Sequence, residues 1–553
     1  MTDGVDLTIF GAMTVVFIAV TLLLGWYGYR NTKNNEEFLL GRNKTSPLII
    51  ALSYGATFLS ASAVIGFGGQ TAVHGMSLMW LCFLNLFAGL VVAFLVFGKR
   101  TRRIGRQLGA ATFSDFLGKV YGSNGIRVFT AILILVMMPI YAAAVLKGGV
   151  NSLAVITGLT DYYNYILIGL SIIVAIYVVY GGIIAVMYND AFQALIMFIG
   201  MAIILLVTFA YTGGVTAGNE ALVSIWDQKV SEVSTLGVAD GFNGWTETSS
   251  FGSKEWLTVV TTFIMGVGIG ALTQPQLAVR YMSAKSDRDL NKSLIIGSIF
   301  ICVVVGAAYT IGPLTNVYFF NEHDGMTSFQ YISSLNLGTD FIIPQYILEI
   351  FSGITFGEVF VCLFLLSLIC ACISTISALM HTIGVAGGYD LFSVYKNRKN
   401  KTAGDSQSIN LNRAFIVVFM VLVVVYCYLM PKDIIAKATS IFMGITAAAL
   451  LPAYFHCLYS KRPNKKAAIV SIGVGSFVYM FDALFLNAGM SIFLPICKMI
   501  TGNAVLFPGE TIAFIDPLVI ALPLSIVAML LTILVNNIKL NSSSGDIPGK
   551  ECE

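Results

Sequence analysis

Two stretches of this sequence put side-chain oxygens where a membrane helix would ordinarily carry Leu, Ile, Val or Phe. In Leu52–Gly69, Ser53, Thr57, Ser60 and Ser62 are interleaved with Gly55, Gly66, Gly68 and Gly69. Small residues let neighbouring backbones approach closely, and they weaken the helix that carries them. In Ala371–Ser377, Ser374 and Ser377 stand at i and i+3 and His381 follows at i+7, so the three share a helix face with Thr375 adjacent to it. Hydroxyls and freed carbonyls at membrane depth are tolerated where they face protein or a watery cavity. Two arrangements satisfy that condition. One is a tightly packed interior helix whose hydroxyls bond back to the carbonyl one turn earlier. The other is a broken helix whose freed carbonyls, with hydroxyls from an intact neighbour, surround a small cation.

A third stretch bears on the choice. Gly266, Gly268, Gly270, Gln274 and Pro275 make a second weak point in a long apolar run. Interrupted helices in corresponding positions of two halves are the sequence signature of an inverted-repeat secondary transporter. Two independently glycine-rich packing helices are the plainer alternative. Three charged residues need separate readings. Asp190 closes the run Tyr180-Gly-Gly-Ile-Ile-Ala-Val-Met-Tyr-Asn-Asp, where a solvated helix start would be the ordinary role of an acid. Lys147, between Leu146 and Gly148, either snorkels to the interface or offers a countercharge to an anionic substrate. Asp482 lies outside the interrupted helices and is expected to have a structural partner.

The elements that must hold these residues are membrane helices. Of 553 residues, 57% are hydrophobic and 11% charged, and mean hydropathy is +0.83. A soluble domain carries about 25% charge, so this is an all-α integral membrane protein. The net charge of +3 says little until its placement is mapped. The nine cysteines show no metal or disulfide spacing and read as buried apolar residues. The acidic start argues for a retained first span instead of a cleaved leader.

About thirteen spans are expected from length and hydropathy. An extra N-terminal helix lies near 6–29. A first block of five covers 47–212, with spans near 47–74, 77–98, 125–156, 162–181 and 184–212. A second block covers 255–459, with spans near 255–282, 289–320, 356–386, 412–430 and 434–459. Two C-terminal helices follow near 467–489 and 516–536, then a tail, 537–553. Lys and Arg cluster in alternate loops: Arg30 to Lys44, Lys99 to Arg106, Arg280 to Lys292, Lys396 to Lys401, and Lys461 to Lys466. The opposite loops hold only Lys229, Lys254, Lys432, Lys437 and Lys498. This asymmetry predicts an outside N-terminus and a cytoplasmic C-terminus. The opposite-side loops near 213–252 and 321–350 are long enough for short helices over the outer mouth. No loop has room for a soluble catalytic or signalling domain.

Over nearly its whole length the chain resembles the sodium/solute symporter family, which has the leucine-transporter fold of two inverted five-helix repeats with discontinuous helices 1 and 6. The run from Tyr180 to Gln193, the run Gln274-Pro275-Gln276 to Val279-Arg280-Tyr281 and the Ser374-Thr375 pair carry the resemblance. It implies a sodium site between helices 1 and 8, formed by the carbonyls of Ala56, Leu59 and Ala371 and the hydroxyls of Ser374 and Thr375. It also implies that Asp190 lies on the sodium exit path. The proline-carrying branch has an aspartate where this chain has Phe58, and the sugar-carrying branch has a glutamine and a gating tyrosine at Ala63 and Gly270. The Gln-Pro-Gln run is similar to the pantothenate and organic-acid branches.

The expectation is a sodium-coupled symporter of the plasma membrane importing a small organic solute, with sodium as co-substrate, no other cofactor, no nucleic acid and no obligatory protein partner. A monocarboxylate or pantothenate-like anion is the expected substrate, and a proline-like amino acid or a sugar the alternative. Phe58, Ser60, Ser62, Lys147, Gln274 and His381 are the candidate substrate residues. The rival classes are an uncoupled channel or facilitator, a sensor, which would need an output domain, and an enzyme, for which no nucleophile–base pair is visible.

Overall fold

Proline and glycine decide where the central helices break. A residue before proline is driven to extended backbone, and Gln274 has φ −70° and ψ 116° in front of Pro275, which opens a new helix. In the first repeat Ser46 caps the chain at Ile49 N, 3.3 Å away, with Pro47 at the first helical position. That helix stops at Leu59, where ψ is 80°. The Ser60 side chain then accepts from Ser62 N at 3.1 Å and the Ser60 carbonyl from Ala63 N at 2.9 Å, starting the next segment.

The computed structural model describes residues 5–544 apart from 42–44, 230–237, 353, 399–404, 431–434 and 494, with the backbone alone at 238, 396–398, 405–407 and 539–544. Arg42, Lys44, Lys399, Lys401, Lys432, Lys550 and most of the expected tail lie outside the described residues.

In chain order come α1 (Leu7–Asn31), α2 (Asn35–Leu40) and the broken helix 1, made of α3 (Pro47–Phe58), a π segment Ser62–Gly66 and α4 (Phe67–His74). Next are α5 (Met79–Leu86), a π segment Phe87–Gly98, α6 (Lys99–Gln107), α7 (Phe113–Val120), α8 (Asn124–Ile156), α9 (Tyr163–Thr212) and α10 (Val215–Lys229). Helix 6 comprises α11 (Lys254–Trp256), a π segment Leu257–Val267, α12 (Gly268–Gly270) and, beyond the break, α13 (Pro275–Ser283). Then follow α14 (Asp287–Glu322), α15 (Ser328–Ser334), α16 (Ile342–Ile350), α17 (Gly357–Val385), α18 (Phe392–Arg398), α19 (Asp405–Leu429) and α20 (Ile435–Tyr459). The chain closes with α21 (Lys465–Phe485), α22 (Ile496–Thr501) and α23 (Pro517–Ser544).

Among the described residues, 11 helical runs are long and apolar enough to cross a membrane. The expected thirteen is not reached by length alone, because two of those runs hide a break. Ser62–Gln107 is interrupted at Gly75, with φ 77°. Thr160–Thr212 turns at Gly182, with φ 56°, a region that L side chains avoid. A Cβ on Gly182 would also lie 2.7 Å from the Phe38 ring, so α2 fills the corner of that turn. The loops near 213–252 and 321–350 do carry short helices, namely α10, α15 and α16. The α16 side is pressed hard onto helix 1: a Cβ on Gly69 would lie 2.1 Å from the Thr339 carbonyl oxygen. This cover has its own polar cluster. Glu349 accepts from Tyr331 at 3.0 Å and from Gln345 at 2.7 Å and meets His323 at 2.7 Å. Burial and the Glu349 carboxylate push the Tyr331 phenol up to about 12.

Several basic loops converge at one end of the bundle. Arg102 and Arg103 both pair with Asp287, and Arg106 reaches the Ala284 carbonyl at 3.0 Å. Arg100 stacks on Tyr459, 3.9 Å from the ring centre.

Candidate functional site

Helix 1 breaks against α17. Ser374 Oγ donates to the Ala56 carbonyl at 3.0 Å and to the Ala371 carbonyl at 3.3 Å. Two of the expected sodium ligands, the Ala56 and Ala371 carbonyls, are therefore within hydrogen-bond reach of a third, the Ser374 hydroxyl. Thr375 Oγ1 is buried and has no hydrogen-bond partner among the described residues. Leu59 is the residue at which α3 leaves helical geometry, and it is buried too. A spare hydroxyl beside carbonyls at a helix break is the oxygen set that suits a sodium ion.

One turn along α17 lies a charged network enclosed by four elements. Asp190, on the second limb of α9, accepts from Ser53 Oγ at 2.7 Å, Thr57 Oγ1 at 3.1 Å and Arg280 Nη2 at 2.8 Å. Ser377 Oγ of α17 reaches its other oxygen at 3.4 Å. Arg280, on α13, also donates to Ser53 Oγ at 2.9 Å, to Thr57 Oγ1 at 2.5 Å and to the Gln276 carbonyl. The Asp190 and Arg280 side chains are 0% and 1% exposed. The pair thus fastens the first half of helix 1, the second half of helix 6, α9 and α17 together, immediately below the helix 1 break. Sequence reasoning places Arg280 only in a motif and a basic loop, and Ser53 and Thr57 only among the oxygens of helix 1, without joining them to Asp190. Their i, i+4 spacing on one face of α3, opposite a lone arginine in an apolar run, is the signal that could have found them.

The two breaks share a second neighbour. Ser62 Oγ accepts from Thr439 Oγ1 at 2.8 Å, and Gln274 Nε2 donates to Thr446 Oγ1 at 2.8 Å. Thr439 and Thr446 are two turns apart on α20, so one stripe of that helix lines both breaks. Ser60 Oγ accepts from Tyr141 OH of α8 at 3.0 Å. Gln274 Nε2 also caps the Gly270 carbonyl at 2.8 Å, satisfying an orphan group at the end of the first half of helix 6. Phe58 packs at the break against Tyr54, with ring centres 6.2 Å apart, and against Gly89. Phe58, Ser60, Ser62 and Gln274 are therefore gathered around the two breaks, and all four are buried.

Lys147 and His381 are not gathered there. Lys147 Nζ donates to the Met430 carbonyl, just past the end of α19. His381 Nε2 lies 2.9 Å from the Phe38 carbonyl and its ring is 5.6 Å from that of Phe38, which puts it with α2 beneath the Asp190 network. Asp482 is buried, but neither of its carboxylate oxygens has a hydrogen-bond partner among the described residues, so the structural partner expected for it is not found.

Broken helices 1 and 6 around a buried polar centre define a membrane transporter of the inverted-repeat class. The profile of the sodium:solute symporter family matches residues 38–475. The chain belongs to that family. It is 25% identical over 500 residues to the osmoregulated proline transporter OpuE of Bacillus subtilis, covering 89% of this chain and 93% of that one. It is 28% identical over 490 residues to the high-affinity proline transporter PutP of the same organism, covering 87% and 93%. Its fold matches a sodium-coupled sialic acid symporter solved in a substrate-bound outward-open state, with a TM-score of 0.70 and 16% identity over 95% of this chain and 97% of that chain.

Proposed function

We propose that this sodium:solute symporter imports a small zwitterionic amino acid, with proline as the first candidate, together with sodium. The observation that carries the substrate class is the likeness to proline transporters over most of both chains. The chemistry around the breaks supports it. Ser60, Ser62, Tyr141, Thr439, Gln274 and Thr446 offer hydroxyls and an amide but no net charge, which suits a solute of zero net charge. Backbone N–H groups at the broken helix ends, with sodium nearby, favour a carboxylate, and freed carbonyls favour an ammonium. Phe58, an apolar wall where the proline branch has an aspartate, is this chain's departure from that branch and counts against proline itself. The organic anion expected from the sequence loses support to the likeness to proline transporters, and Lys147, one candidate countercharge for it, is engaged at Met430.

In this reading sodium is held by the Ala56, Leu59 and Ala371 carbonyls and the Ser374 and Thr375 hydroxyls. Asp190 receives it on the way out once Arg280 withdraws. The protein resides in the plasma membrane with its basic loops in the cytoplasm, so the membrane potential adds about 2.3 kcal/mol per charge per 100 mV to uptake. The test is uptake into proteoliposomes under an inward sodium gradient. Proline, or another small amino acid that competes with it, should accumulate only with sodium. Accumulation of a sugar or a simple carboxylate, with no amino acid competing, would overturn the substrate class.

A further inference from the structure

The cleft between α1 and the first limb of α9 has a chemistry that the transport pathway does not use. It measures about 370 Å³ and is lined by Leu22, Trp26, Tyr29, Ile176, Tyr177 and Tyr180. Apart from the buried Tyr177, these residues lie on the outside of the bundle: Trp26, Tyr29 and Tyr180 are 53%, 51% and 53% exposed. From Leu22 to Tyr29 the wall runs about 10 Å along the helix axis. Its upper part is apolar and its lower end is aromatic, as expected of a wall that passes from hydrocarbon into the headgroup layer.

Two guanidiniums stand at the aromatic end. Arg30 lies 4.2 Å from the Trp26 ring centre. Arg413 lies 5.7 Å from the Tyr180 ring centre, and its Nε donates to the Val179 carbonyl at 2.9 Å. The Tyr29 and Tyr180 rings, 6.2 Å apart and edge to face, join the two sides. Neither arginine has a carboxylate partner among the described residues. By contrast Arg102, Arg103, Arg127 and Arg280, at the same end or just inside it, all pair with aspartates. Arg413 Nη1 also reaches Asn410 Oδ1 at 3.5 Å, and planar guanidiniums stacked on aromatic faces match a phosphate well.

We propose that this cleft binds one anionic phospholipid, with an acyl chain along Leu22, Trp26 and Ile176 and the phosphate between Arg30 and Arg413. The site matters to the fold because its floor is tightly built. A Cβ on Gly25 would lie 2.6 Å from the Tyr177 Cβ, and one on Gly28 would lie 2.5 Å from the Ala185 Cβ. Thr32 Oγ1 donates to the Gly181 carbonyl at 3.1 Å, next to the Gly182 turn. A lipid in the cleft therefore bridges α1 to the limb of α9 that leads into that turn.

The experiment uses the full chain. Its melting temperature is measured in vesicles of phosphatidylcholine alone and of phosphatidylcholine with phosphatidylglycerol, and retention of phosphatidylglycerol is followed by native mass spectrometry. The wild type should melt higher with phosphatidylglycerol and retain one molecule of it. Arg30→Gln and Arg413→Gln should each weaken retention about fivefold, and the double variant roughly 25-fold, at about 1 kcal/mol per arginine. The Arg30→Lys/Arg413→Lys variant should keep most of the charge-dependent part, which separates loss of the site from loss of the fold. Free inorganic phosphate should not displace the lipid, because it lacks the chain that fills the cleft. Equal melting in both vesicles, displacement by phosphate, or undiminished retention by the double glutamine variant would overturn the site.

Discussion

Asp190 and Arg280 pose an energetic problem that an apolar pair would not. Both charges are dehydrated, and removing one partner of such a pair typically costs about 3–5 kcal/mol because the other is left buried alone. Asp190→Asn and Arg280→Gln should therefore each lower the melting temperature sharply, whereas the double variant should recover much of the loss. Differential scanning fluorimetry on all four proteins gives the coupling directly; additive losses would mean that the pair is not a unit. Ser374 and Thr375 make a different demand. Each is expected to give sodium one oxygen, so Ser374→Ala and Thr375→Ala should raise the sodium concentration for half-maximal uptake, each lost contact costing about 1–3 kcal/mol. Unchanged sodium dependence in both would take the pair out of the site. The sequence led to Ser374 and Ala56 through a family motif, and the structure puts their side chain and carbonyl 3.0 Å apart. It did not lead to Arg280's role, because one arginine at a basic end looks like every other topological charge until Ser53 and Thr57 are seen folded against it.

Helix interruptions were legible because each has a local chemical cause. Pro275 forces Gln274 out of helix, and the Ser60 side chain restarts the chain at Ser62. The π segments were not legible, since an extra residue per turn leaves composition unchanged and shifts side-chain direction only. The turn at Gly182 was visible merely as a Gly-Gly pair between two spans. Its strict need for glycine comes from φ 56° and from Phe38, a residue far away in sequence. Gly182→Ala should then cost more than the ~1–2 kcal/mol expected for the left-handed backbone alone. Gly158, with φ 68° and nothing within 4 Å of an added Cβ, is the matched control. Melting temperatures of Gly182→Ala and Gly158→Ala should separate the two terms. Equal losses would show that α2 yields, and that the corner is softer than its packing implies.

Across the whole molecule, the long apolar runs and the two interrupted helices specified the architecture, whereas the solute was beyond what pattern could resolve. In the proposed reading the solute is chosen by a handful of groups brought together from the two breaks, α8 and α20, and their spacing along the chain carries no record of that meeting. Orientation can be checked with cysteines at Glu220 and Lys461, both exposed, in a cysteine-free background. An impermeant reagent should label the first from outside intact cells and spare the second; the reverse would invert the topology. The solute is decided by charge. If the centre serves a zwitterion, proline should drive sodium-dependent uptake, and blocking either its carboxylate or its amine should abolish competition, because each end has its own partners around the breaks. Thr439→Val and Thr446→Val remove the hydroxyls that α20 lends to Ser62 and Gln274 while keeping side-chain shape. They should weaken solute affinity without changing the sodium requirement at saturating solute. Lys147→Met should leave proline uptake intact, since that lysine is spent on the Met430 carbonyl. If Lys147→Met instead abolishes uptake, and simple carboxylates compete while amino acids do not, the pathway runs past Lys147 and the solute is an anion.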